Sequence, residues 1–358
     1  VQSSLRCNRL VFEGRRNLVR ALGAVRLVHG DSWLRARRLG AYLTSDRKEI
    51  EFIRARGVTA VTTRTQPDGM RQTFSASGGT VSIVLDPETR TVKEFELDGG
   101  PTRSAAQVSI EDSTGTVRQV DARYIVGHDM TPEVQHLAAW EPVVFREFFS
   151  FSRSSVTSWA CGDRAEVTLA DSRLTRLDLT GNAEFWRDGI FAEGSSIGFD
   201  GAGGATTLEG EPARIRARKG ELEAPVIVQI HYNGEIQGHG GIYGLVNRAD
   251  AAIAGGEEGP IQVEAEEILW TEAPEGLTLR GGVRVWQDQQ LLIADEIEES
   301  VADERLEARG AVRSVYTPRD EPPQAPGEDP TEEDQWMRGE PIEVTAARAV
   351  YDQSLIHI

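Results

Sequence analysis

The chain has 358 residues, 39% of them hydrophobic, with 57 acidic against 39 basic side chains and a formal net charge of −18. That length allows one large domain or two to three ordinary ones, and that charge argues against nucleic acid as the main partner, because holding phosphates needs a basic surface. No apolar run approaches the ~20 residues of a transmembrane helix, and two cysteines, Cys7 and Cys161, are too few for a disulfide framework or a zinc site.

Taken in chain order, one strand pattern returns again and again. It places apolar residues at every second position around a central glycine. It first appears as "VRALGAVRLV", with Val19, Ala21, Gly23, Val25 and Leu27 in frame. Looser copies follow in "FELDGGP" (Phe95, Leu97, Gly99) and in "LAAWEPVVF" (Leu137, Ala139, Val143, Phe145), where Glu141 stands in place of the glycine. Full copies return as "LDLTGNAEFW" from Leu177, "LTLRGGVRVW" from Leu277 and "LEARGAVRSV" from Leu306. A second pattern lies between these copies and centres on alanine. It is written Leu34-Ala36-Leu39, Phe74-Ala76-Gly79, Val120-Ala122-Ile125, Ile215-Ala217-Gly220, Val263-Ala265-Ile268, Leu292-Ala294-Ile297 and Val344-Ala346-Ala349. Gly23 to Ala36 and Gly281 to Ala294 are each 13 residues, the length of a strand, a tight turn and a returning strand.

A period of two means that successive side chains point to opposite faces of a strand. Val283 and Val285 share one face, and Arg284 takes the other. Each strand therefore has one apolar and one charged face, which indicates an antiparallel sheet with one side wet. A glycine in mid-strand marks a bulge or a bend. The same glycine in strand after strand predicts a sheet that folds over on itself. Helical signals are weak: residues 132–139 fit a turn of helix and a strand equally well.

The pattern is interrupted in several places. Residues 317–341 are rich in Pro, Asp and Glu and read as a disordered insertion, since they bury too little to offset their ordering entropy. The segments 200–207 and 251–260 read as turns. Residues 146–175 keep no clear frame and stand either for a junction between two sheets or for a lapse in the alignment. The expected organisation is a first β-roll over 1–145, an irregular continuation or junction over 146–260, and a second, truncated roll over 261–358 that carries the insertion. Val1 at the start and the strand-like "VYDQSLIHI" at the end are read as the edges of a piece of a longer protein, so the missing leader says nothing of compartment.

The residues 277–315 and 21–61 carry a resemblance to the OstA-type domain of the lipopolysaccharide transport bridge family. What the resemblance implies is an all-β fold, a partly open antiparallel β-roll or jellyroll bent like a taco, as one roll or two stacked ones. It further implies a periplasmic protein of a Gram-negative-type envelope that is not an enzyme and needs no cofactor. Its inner groove would carry lipopolysaccharide or a similar lipid, and its unpaired end strands would join other bridge proteins by strand addition. Strand parity then names the groove lining. From the first stretch it takes Val25, Leu27, Leu34, Ala36 and Leu39, and from the middle Ala183 and Phe185. From the last third it takes Val263, Ala265, Val283, Val285, Leu292, Ala294, Ile297, Leu306 and Ala308. The bland reading of the same residues is a packed core.

Two other readings compete: a parallel β-helix enzyme acting on polysaccharide, and a structural or adhesive β-array at a cell surface. The histidines show no metal-ligand spacing. His231 and His239 would share a strand face with Glu235 between them, but the expectation is no metal site.

Overall fold

The computed structural model describes residues 3–352, apart from 48, 66–70, 87, 89–91, 101–104, 131–133, 150–151, 172, 188, 219, 248–259, 273, 289, 304 and 317–340. The described residues form antiparallel strands almost throughout, which bears out the all-β expectation and excludes the parallel coils of a β-helix. Residues 132–139 resolve as strand from Val134 onward. No helix among the described residues is long and apolar enough to cross a membrane. The chain divides into two compact units, 1–204 and 205–358.

The first unit holds β1 (Ser3–Arg6), β2 (Arg9–Glu13), β3 (Leu18–His29), β4 (Ser32–Leu43), β5 (Ile50–Thr65), β6 (Arg71–Leu85) and β7 (Val92–Asp98). It continues with β8 (Ala106–Glu111), β9 (Thr116–Ala122), β10 (Tyr124–His128), β11 (Val134–Phe149), β12 (Ser152–Ala170), β13 (Arg173–Arg187) and β14 (Ile190–Asp200). Neighbours in sequence pair in an up-and-down meander. Three of its long strands are broken in the middle. β1 and β2 both pair with β3, β7 and β8 both pair with β6, and β10 and β9 both pair with β11. The second unit repeats the plan with β15 (Ala205–Ala217), β16 (Gly220–Ile230), β17 (Glu235–Val246), β18 (Ile261–Glu272), β19 (Glu275–Gln287), β20 (Gln290–Ser300), β21 (Arg305–Tyr316) and β22 (Ile342–Asp352).

Within each unit the breaks and the glycines line up from strand to strand. In β3, Gly23 and Ala24 together stand opposite the single residue Arg37 of β4. The same two-against-one bulge recurs at Glu141-Pro142 in β11, Gly181-Asn182 in β13, Gly240-Gly241 in β17, Gly281-Gly282 in β19 and Gly310-Ala311 in β21. All these bulges contain positive φ angles, including 39° at Glu141, which occupies the glycine position of its copy. A bulge bends its strand and sharpens the local twist. A row of them bends the sheet within each unit, so its long strands have two arms meeting at a corner.

Beside the corner, the inward residues stack in register from strand to strand. Ala21, Leu39, Ala55, Val81, Leu97, Ile125, Ala139, Ala165, Leu179 and Ile197 make one continuous cross-strand row in the first unit. Every one of them is buried. The row passes unbroken through residues 146–175, where the sequence shows no frame. The second unit has the matching row Leu208, Ile227, Gly238, Ile268, Leu279, Ile297 and Ala308. Each fully buried Leu or Ile contributes about 1.5–3 kcal/mol. The hairpin spacing also holds, since Val25 faces Ala36, Val283 faces Ala294 and Val312 faces Ala346. The insertion 317–341 therefore connects two strands in ordinary register, although all but its last residue lie outside the described residues. The Ile215-Ala217-Gly220 copy of the alanine pattern falls instead on the β15–β16 turn, where Ala217 pairs with Gly220.

Candidate functional site: an apolar groove in the first unit

Between the two arms of the first unit lies an open groove with a cavity volume of about 640 Å³. One wall comes from the arm that precedes the corner of β5 and follows that of β6: Ile53, Val81, Ile83 and Leu85, with Val92 and Phe95 of β7. The other wall comes from the opposite arms: Leu27 of β3, Leu34 of β4, Val58 and Ala60 of β5, and Phe74 and Ala76 of β6. The walls touch at the Phe74 and Phe95 rings, whose centroids lie 5.8 Å apart at 70°. Edge-on packing of this kind is a favoured aromatic geometry.

Polar groups gather at one end. Ser32 and Thr62 share a 2.6 Å hydrogen bond between their hydroxyls. Gln72 Nε2 donates to Gln135 Oε1 at 3.4 Å. Both glutamines are buried, and β6 and β11 are not paired with each other, so this bond spans the groove from arm to arm. Met130 is buried beside them and lines the same space.

The groove ends where the inward row changes character. Phe74 faces Ile110, Ile110 faces Arg118, and Arg118 faces Glu147. Arg118 pairs with Asp112 at 3.1 Å and with Glu147 at 2.8 Å. Burial pushes the Asp112 carboxyl up, but hydrogen bonds from Thr114, Arg118 and the Thr116 backbone outweigh it and hold the group below its ordinary value. Apolar lining thus gives way to an internal ion cluster.

The sequence-predicted lining residues divide by location. Leu27 and Leu34 line the groove. Val25, Ala36 and Leu39 are buried in the same unit, as is Ala183, while Phe185 is half-buried in the row with Ala160 and Ala192. In the second unit Val263, Ala265, Val283, Val285, Leu292, Ala294, Ile297 and Ala308 are buried, and Leu306 is half-buried. Groove residues not named as lining from sequence, such as Ile53 and Ile83, carry the same alternating signal in "EFIRARGVTAV" and "SIVL", and Phe74 belongs to a copy of the alanine pattern. Parity separates inside from outside, but it does not say where the arms stand apart.

Among the described residues, no cluster of three or more His, Cys, Asp or Glu is placed to hold a metal. His231 and His239 do not share a strand. His231 lies in the turn after β16, with Nε2 2.7 Å from Thr206 Oγ1, and His239 lies on β17, with Nδ1 3.9 Å from Glu267. Cys161 lies 3.7 Å from Glu184, and burial, with the adjacent carboxylate, pushes its thiol up, away from the reactive thiolate. No family model and no curated protein matches the chain.

Proposed function

We propose that the protein is a lipid carrier of the cell envelope, binding acyl chains in an apolar β-groove and passing lipopolysaccharide or a similar lipid along it. The observation that carries this reading is the groove between the arms of the first unit, walled by Leu, Ile, Val and Phe and open to solvent. An acyl chain cannot cross water alone, because each exposed methylene costs ~0.8 kcal/mol. A wall of aliphatic side chains offers contact without directional bonds, so a chain can slide. The reading needs no catalytic group and no cofactor. It places the protein in the periplasm, with other bridge components joining at free strand edges. Among the described residues β22 pairs only with β21, so its other edge offers such a site, with Val344 and Val350 exposed.

Photo-crosslinking in cells tests the proposal. A crosslinking residue at Ile83, on the groove wall, should capture lipid. The same residue at Ser82, one position along and on the opposite face, should capture little. Equal capture from both positions, or none from Ile83, defeats the carrier reading.

A further inference from the structure

The groove of the first unit encloses about 640 Å³ and is polar at one end only. Ser32, Thr62 and Gln72 lie at the ends of their strands farthest from the corner, and Gln135 meets Gln72 across the space. Toward the corner the walls are aliphatic and aromatic, with Val58, Ala76 and Val81 buried at the base. None of the described lining residues is Asp, Glu, Lys or Arg. From the lipid-carrier reading, on which it rests, and from this polarity, we infer that the groove takes a lipid by one long acyl chain, or two short ones, with an uncharged, hydrogen-bonding headgroup held at the Ser32–Thr62 and Gln72–Gln135 end, so that among the cargoes the carrier reading allows it favours a small uncharged lipid over lipopolysaccharide.

Volume decides the chain number. A cavity of ~150 Å³ holds one benzene, so ~640 Å³ accommodates roughly 25 carbon atoms. That is one long chain or two short ones, and it falls well short of a lipid with many chains held whole. Charge decides the headgroup. A phosphate or carboxylate brought to this end would shed water and meet hydroxyls, amides and the His29 imidazole, paired with Ser32, but no lysine or arginine among the described lining residues, and an anion without such a partner is disfavoured there. Hydroxyl and amide heads exchange hydrogen bonds with Ser, Thr and Gln on equal terms.

Displacement of a fluorescent acyl probe from the full chain tests the inference. Three competitors are compared: monooleoylglycerol, oleoyl lysophosphatidylglycerol with the same chain on an anionic head, and a six-chain lipid A. Monooleoylglycerol should displace one equivalent of probe at a concentration at least tenfold below that of the anionic lipid, and lipid A should displace none in the same range. Ala60→Trp, which fills the groove, should weaken monooleoylglycerol tenfold or more. Thr62→Val should shrink the preference for the uncharged head while the unfolding midpoint stays near wild type. Displacement by lipid A as readily as by monooleoylglycerol overturns the chain-number assignment and leaves the carrier reading standing. Equal displacement by the two oleoyl lipids overturns the headgroup assignment. A chain that binds no probe at all defeats both the inference and the carrier reading.

Discussion

The Asp295 carboxyl group covers the α-carbon of Gly310. A Cβ at Gly310 would lie 2.8 Å from Asp295 Cγ, closer than real Cβ atoms approach. The same relation joins Glu266 to Gly281, where a Cβ would lie 2.6 Å from the Glu266 Oε2 atom. In each case the acidic residue is one of two residues of the preceding strand, Ala265-Glu266 or Ala294-Asp295, that lie between paired positions against three of the next, Gly281–Val283 or Gly310–Val312. The corner glycines thus answer two demands at once, a left-handed φ and room for the neighbouring carboxylate.

Gly310→Ala should destabilise the protein by about 1–3 kcal/mol, because an L-residue at φ 71° is strained and Asp295 must move aside. Ala311→Gly should act in the other direction. It relieves φ 45°, worth about 1–2 kcal/mol, against a loss of about 0.5–1 kcal/mol from the freer unfolded chain. The net change is neutral to mildly stabilising. Denaturant midpoints for the two variants check both signs.

Glu307 supplies a pH prediction. Its carboxylate is 7% exposed and meets Arg305, Arg309 and Arg348, each at 2.6 Å. Hydrogen bonds from Arg348 and Arg309 hold its pKa down to about 2, from an ordinary 4.5. A carboxyl group depressed in the folded state stabilises fully above its unfolded pKa and loses that contribution as pH falls toward the folded one. Glu307→Gln should therefore cost most stability at neutral pH, and the gap from wild type should close between about pH 4.5 and 2. Unfolding curves across that range measure it. A gap that stays constant with pH would rule out the carboxylate as its source.

Replacing residues 317–341 with a two-residue turn should leave the β21–β22 hairpin intact. Tyr316 and Ile342 are paired and close the ladder on either side. Each doubling of loop length costs only about 0.6 kcal/mol, so the shortened chain should gain up to about 2 kcal/mol. A fall of many degrees in the melting temperature would show that the segment packs against the fold.

Ala294→Trp and Ala60→Trp should part company. Ala294 is 2% exposed, within a filled row, and a tryptophan there overpacks the interior by about 1–3 kcal/mol or more. Ala60 is half-buried on the groove wall and has space before it. Its substitution should cost less stability while blocking the groove. Melting curves of the two variants, read beside probe binding, separate a core position from a groove position.

Much of this arrangement was legible in the sequence because period two is a local signal. The glycine of "LTLRGGVRVW" and the alanine of "LLIADEI" sit at the corner because bulge geometry demands a left-handed residue at one and a small inward residue beside the other. The frame was lost over residues 146–175 for a physical reason. At the corner of β12 the chain carries Gly162 and Asp163 with no positive φ, so the glycine there does not mark a left-handed bulge as it does in the other copies. The acidic residues at the corners read from sequence as outward charges, and their cover of the next strand's glycine was invisible, because it depends on a partner in a neighbouring strand. The groove was hidden for a similar reason. Leu34 and Leu292 hold equivalent places in the pattern, yet Leu34 lines open space and Leu292 is fully packed. The distance between arms is set by the packing of many strands together.

The stacked rows have a consequence for how such a protein can change in size. Adjacent strands lie about 4.8 Å apart, so each added hairpin lengthens an inner row by roughly 10 Å. Because each strand pairs only with its neighbours along the meander, a duplicated hairpin brings its own corner and its own inward residues, and it asks nothing new of strands farther away. Reach becomes a matter of counting hairpins, and a gene that gains or loses one can tune the span of its product in steps of fixed length.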